Sequence, residues 1–183
     1  MNFLRQFFSH ICGQQHCWVL GGVSLPFCQR CTGLYVGAFF ALVFVLMFRP
    51  RPSAFLYWIH GLFMLAMIPF GFHLVMHGAM ARTVTGVLFA FGLVYYLLLN
   101  PLTAWHSWSR DSRERTGTYL LTLGITTLLL PMIVPWGGRT SAYVLTGLGV
   151  LGFAGLCCCV VVNLAVLPST LWAMLRHSAE PSR

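Results

Sequence analysis

Apolar residues fill the chain in five long blocks, separated by short stretches where Arg, Pro, Gly and Asn collect. The blocks predict membrane-spanning helices over 26–48, 53–76, 83–99, 118–136 and 142–167. A hydrocarbon core of about 30 Å takes about 20 helical residues, and each block meets that length with modest tilt or stretch. Arg49-Pro50-Arg51-Pro52 ends the first, because Pro lacks an N–H and clashes with the preceding turn. Asn100-Pro101 ends the third and Pro168 the fifth, while Pro69 predicts a kink in the second. Ser24 is the expected N-cap of the first span, with Pro26 tolerated in its first turn. Ahead of these blocks, Phe3, Leu4, Phe7, Phe8 and Ile11 recur at helical spacing, with Arg5 and Gln6 on the wet side. That pattern predicts an amphipathic helix lying in the membrane interface. Residues 1–12 lack a continuous apolar stretch and a small-residue cleavage site, so they do not read as a signal peptide. The expected fold is all-α: one transmembrane domain over 1–183, a polytopic bundle of about five spans behind a Cys/His-containing segment at 1–25.

Composition agrees with the pattern. Of 183 residues, 58% are hydrophobic and 8% charged, against about 25% charged in a soluble domain. All 11 basic residues are Arg, and only three are acidic. In a soluble protein such an excess suggests nucleic acid. Here no basic stripe with stacking aromatics lies outside the apolar blocks, so headgroup anchoring is the expected role and no nucleic-acid partner is expected. Seven Arg (49, 51, 110, 113, 115, 176 and 183) fall on one predicted side and four (5, 30, 82 and 139) on the other. The positive-inside rule then places the N-terminus outside and the C-terminus in the cytoplasm of an inner membrane.

The chemistry-bearing residues cluster near the N-terminus. Cys28-Gln29-Arg30-Cys31 opens the first span, and Cys12, His16 and Cys17 precede it. Residues three apart share a helix face, and a helix N-terminus favours a thiolate. Four soft or borderline donors from Cys12, His16, Cys17, Cys28 and Cys31 suit tetrahedral zinc. Structural disulfides or redox thiols are the alternative that an outer-face location favours. A third class, a small transporter or assembly subunit, would hold an anionic group on Arg82 with His73 and His77. His73 and His77 also have the i, i+4 spacing of paired metal ligands. Arg30 and Tyr35 are candidates beside the thiols, and Gly33-x3-Gly37 reads as a helix-packing motif. Cys157, Cys158 and Cys159 fall mid-span and read as small packing residues. No span carries Asp, Glu or Lys, which argues against a carboxylate-driven pump.

With these residues in view, the chain resembles a family of bacterial and archaeal membrane proteins catalogued as domain of unknown function two-zero-eight-five. Cys12-Gly13-Gln14, Pro26-Phe27-Cys28-Gln29-Arg30-Cys31-Thr32-Gly33-Leu34-Tyr35-Val36-Gly37, Pro69 and Arg82-Thr83-Val84-Thr85-Gly86 carry the resemblance. It covers roughly residues 10–100. Gly13 stands where that family has His, and the acid that follows its Pro is absent here, where Phe72 and His73 stand. If the family site is a three-Cys, one-His metal centre, the resemblance implies that the fourth ligand has moved, first to His16, then to Cys17 or His10. It implies a site at the outer membrane face without implying a reaction. Three functions stay open: a Cys/His zinc site; a thiol-disulfide oxidoreductase working with a quinone, with Cys28/Cys31 and Cys12/Cys17 as its pairs; or the small transporter or assembly subunit that holds an anionic group. The expected partners are the bilayer and a lipid or small anionic ligand.

Overall fold

The computed structural model describes residues 2–12, 16–48, 50, 52–71, 78–104 and 113–179. Helix α1 covers Asn2–Cys12. An antiparallel ribbon of β1 (Cys17–Leu20) and β2 (Val23–Cys28) follows. Helices α2 (Gln29–Phe48), α3 (Ala54–Gly71), α4 (Ala79–Ala104), α5 (Arg113–Ile133) and α6 (Arg139–Ala179) make the bundle. Among the described residues, α2, α4, α5 and α6 are long and apolar enough to cross a membrane. The apolar part of α3, Ala54–Phe70, is shorter. Its last turn nevertheless reaches the beginning of α2, where the Arg30 guanidinium donates to the Phe70 carbonyl at 2.5 Å. The expected end of that span, 72–76, lies outside the described residues.

Helix α2 is the centre of the bundle because small residues let backbones meet it on two sides. A Cβ at Gly33 would strike the Thr83 carbonyl oxygen, and one at Gly86 would strike the Arg30 carbonyl oxygen. Farther along, the Gly37 position comes within 3.0 Å of Val87 Cα. Helix α4 therefore crosses α2 backbone to backbone, the contact that small-xxx-small spacing makes possible in lipid. Gly152 places α6 against the Tyr35 carbonyl on another face. Asn163 ties α6 to α4 by donating to the Leu97 carbonyl at 2.6 Å. Outward faces of α3, α5 and α6 carry exposed Trp58, Leu62, Leu65, Leu121, Leu128, Leu151 and Leu164. Such a surface suits a lipid environment.

The ribbon adds two short strands to the otherwise all-helical fold. Ser24, expected as an N-cap, is a strand residue paired with Val19, and Pro26 also lies in β2. The first span accordingly begins at Gln29, not Pro26. Gly21 (φ 52°) and Gly22 (φ 77°) turn the ribbon, and two successive positive φ values are what a tight two-residue hairpin demands. Leu20 and Leu25 are buried on Val134 and Ala142, so the ribbon sits over the turn between α5 and α6. Two further boundaries differ: α4 runs through Pro101 to Ala104, and α6 runs through Pro168 to Ala179. Tertiary and lipid contacts can hold a helix across a Pro in membrane segments. Cys157 and Cys158 are exposed and not packed, while the Gly155–Cys159 side of α6 faces Leu42.

Helix α1 presents two stripes. Leu4, Phe8 and Cys12 turn inward, and Phe8 is nearly inaccessible among Phe27, Tyr35 and Phe153. Phe3, Phe7 and Ile11 stay exposed. One stripe anchors the helix to the bundle and delivers Cys12; the other is left for the membrane interface.

Candidate metal centre

Cys28 is both the last residue of β2 and the cap of α2. The Cys31 N–H points at its sulphur at 3.4 Å, where a capping oxygen would normally stand. The Thr32 hydroxyl donates to the Cys28 carbonyl at 3.0 Å. Strand and helix are thus joined at one residue, and Cys31 follows one turn later. The inward stripe of α1 brings Cys12 to the same place. The sulphurs of Cys12, Cys28 and Cys31 all lie within 4.8 Å of one another. The Cys12 and Cys31 sulphurs are 2.8 Å apart. Among the described residues no other group of three His, Cys, Asp or Glu side chains gathers so closely.

The three thiols are not equivalent. Thiol donors from Cys12 and Cys31, with the backbone N–H groups of Cys31 and Arg30, hold the Cys28 thiol well below its usual range, against its burial. Cys12 is raised, chiefly through its contact with Cys28. Burial raises Cys17. A sulphur that favours the thiolate form, with two further thiols beside it, is a donor set ready to exchange protons for a soft cation. Ligands about 2.3 Å from a tetrahedral zinc stand about 3.8 Å apart, so the Cys12 and Cys31 sulphurs, 2.8 Å apart, must open by about 1 Å to admit the ion.

A cavity of about 400 Å³ opens beside the group, lined by Arg5, Phe8, Ser9, Cys12, Cys17, Pro26 and Cys28. Arg5 and Ser9 are exposed at its rim. Cys17 is directly across the ribbon from Cys28. His16 is exposed, and its carbonyl accepts from the Gln29 N–H at 2.8 Å. Neither His16 nor Cys17 belongs to the close group.

The other candidates fall as follows. Tyr35 is buried beneath the thiols, and its hydroxyl interacts with Cys31. Arg30 is buried and engaged with the end of α3. A cation over the last carbonyls of a helix is favourable, so Arg30 joins α2 to α3. Arg82 is half-buried in the first turn of α4, with its Nε enclosed. His73 and His77 lie outside the described residues. Sequence reasoning missed the cavity and the part played by Trp18, whose indole N–H donates to the Thr83 hydroxyl at 3.1 Å. Thr83 in turn donates toward Gln29 or Ala79 carbonyls, which pins ribbon, α2 and α4 together under the site. Gly21-Gly22 between Cys-Trp-Val-Leu and Val-Ser-Leu was the available signal for the hairpin.

Bundle and thiol group together define a multi-pass membrane protein with a cysteine centre at one end of its helices. Residues 12–96 match the model of a family described as predicted membrane protein DUF2085. The match begins at Cys12 and ends within α4, so it spans the three close cysteines and the α2–α4 crossing. No curated protein and no solved structure matches the chain.

Proposed function

We propose that the chain is a metal-binding protein of the cell inner membrane whose Cys12, Cys28 and Cys31 hold a zinc ion at the extracytoplasmic face. The convergence of three sulphurs from α1, β2 and α2 within 4.8 Å carries this reading. Zinc suits the donor set, because thiolates are soft and the ion needs no redox partner. Its first consequence is architectural. Cys12 belongs to an interfacial helix that otherwise holds the bundle mainly through Leu4 and Phe8. A shared ion would fasten α1 to the junction of β2 and α2.

The cavity extends the reading. Cys12 and Cys28 line it. Three protein ligands beside an open space is the pattern of zinc centres that keep an exchangeable position, whereas closed four-ligand sites are structural. The fourth position is therefore assigned to a small ligand from the cavity. The Arg distribution supports the outer placement, with four Arg on the thiol side against seven on the other. Metal analysis of detergent-purified protein and its Cys12→Ser, Cys28→Ser and Cys31→Ser variants tests the reading. Each variant is expected to lose the ion while Cys17→Ser and His16→Ala keep it. Equal metal content in all five variants would sink it.

A further inference from the structure

Four thiols meet around the cavity, but the backbone does not join them in the pairs their sequence spacing suggests. Cys17 and Cys28 are opposite partners in the ribbon. The Gln29 N–H to His16 carbonyl bond lies just outside them, which makes theirs a non-hydrogen-bonded pair. In a regular ladder such pairs have Cα atoms about 4.5 Å apart and closely set side chains, here beside a register shift between Cys17 and Val19, and disulfides span Cα separations of about 4.4–6.8 Å. The Cys12 and Cys31 sulphurs already stand 2.8 Å apart, so a bond of about 2.0 Å needs only side-chain adjustment. All four are free thiols in this structure. Cys12, Cys17 and Cys28 border the cavity, so a small molecule can reach both pairs.

We propose that the site has a second, oxidised state in which Cys12–Cys31 and Cys17–Cys28 are disulfides, formed by exchange with a low-molecular-mass disulfide that enters the cavity. In each pair a cavity thiolate attacks one sulphur of the small disulfide. A protein–small-molecule mixed disulfide forms and one small thiol leaves. The neighbouring thiol then displaces the second small thiol, so two protein S–H groups and one small disulfide become one protein disulfide and two small thiols. All three proposed metal ligands are consumed, so the ion leaves. The redox state of Cys17, which holds no metal, thereby helps to set metal retention. This deepens the metal reading and adds a modification site to it.

Oxidised glutathione is the probe. Purified full-length protein, zinc-loaded and zinc-free, is incubated with it, and the disulfides are mapped by peptide mass. Zinc release is followed with a chromophoric chelator. Links 12–31 and 17–28 are expected in both samples, with zinc leaving as they form. In Cys17→Ser the 12–31 link still forms, and Cys28 carries a glutathione adduct. A dominant Cys28–Cys31 or Cys12–Cys17 link, or zinc retained in fully cross-linked protein, overturns the proposal. Protein that binds no zinc in any preparation yet forms both links would remove the metal reading and leave the pairing standing.

Discussion

Two of the polar clusters among the described residues, one in the mid-bundle and one at the thiol end, solve their hydrogen bonding in opposite ways. In the mid-bundle, His60 is fully buried between α3, α4 and α5. One ring nitrogen meets the Leu56 carbonyl and the other the Tyr119 hydroxyl, both at 2.8 Å, and the ring stacks on Tyr95 at 4.2 Å. Every nitrogen has a partner, so the cluster is a lock between helices. At the thiol end, three similar groups face one another and a cavity stands beside them. Sulphur is a weak partner for sulphur, so these thiols satisfy each other poorly and remain available. Burial alone does not mark a site; incomplete mutual satisfaction next to accessible space does.

The comparison can be broken from either end. Cys28→Ser has the largest expected effect, because it removes a proposed ligand and the thiol that most favours the anionic form, while the serine hydroxyl can still cap α2. Metal content is expected to fall from about one ion per chain to roughly a tenth or less, with His60–Tyr119 intact. Gly33→Ala comes next, since its methyl meets the Thr83 carbonyl and must part α2 from α4. Overpacking of this kind costs about 1–3 kcal/mol, to be read from thermal unfolding in detergent. The same separation disturbs the Trp18–Thr83 bond below the site, so weaker metal retention should accompany it. Tyr119→Phe leaves a buried His60 nitrogen without its donor, a loss of about 1–2 kcal/mol. Metal content should not change. A Tyr119→Phe protein that loses metal would show that the two clusters are coupled. Phe3→Ser should be smallest, within about 0.5 kcal/mol, because that ring faces outward and only the membrane interface feels it.

Much of the bundle was legible in the sequence, for physical reasons. Lipid demands long apolar helices, so block length alone located α2, α4, α5 and α6. The Gly33-x3-Gly37 spacing announced the close crossing that the structure shows with Val87 and Thr83. Phe8 was expected on the apolar side of α1, but which of that side's residues would face protein and which lipid depends on the bundle beneath. Ser24 and Pro26 misled, because capping and first-turn preferences also suit a ribbon that stops just before a helix. Helix ends at Pro101 and Pro168 misled because membrane packing overrides the usual Pro stop.

The site was legible in part. Cys28 and Cys31 stand together because they are three apart across a strand–helix junction. Cys12 could be named from its type, but its arrival at Cys31 depends on the Leu4–Phe8–Cys12 stripe docking under Tyr35 and Phe153. The family resemblance made His16 the first choice for a fourth ligand; the structure leaves it exposed. Cys17 looked like a partner of Cys12, and the register sets it opposite Cys28 instead. Pairings of this kind depend on strand register, which spacing along the chain does not encode.

The most direct measurement is metal content of the detergent-purified protein with thiols counted in the same sample. About one zinc per chain is predicted, with Cys12, Cys28 and Cys31 shielded from alkylation until a chelator is added and Cys17 reactive throughout. Protein without metal, whose Cys12, Cys28 and Cys31 alkylate as readily as Cys17, would contradict the account.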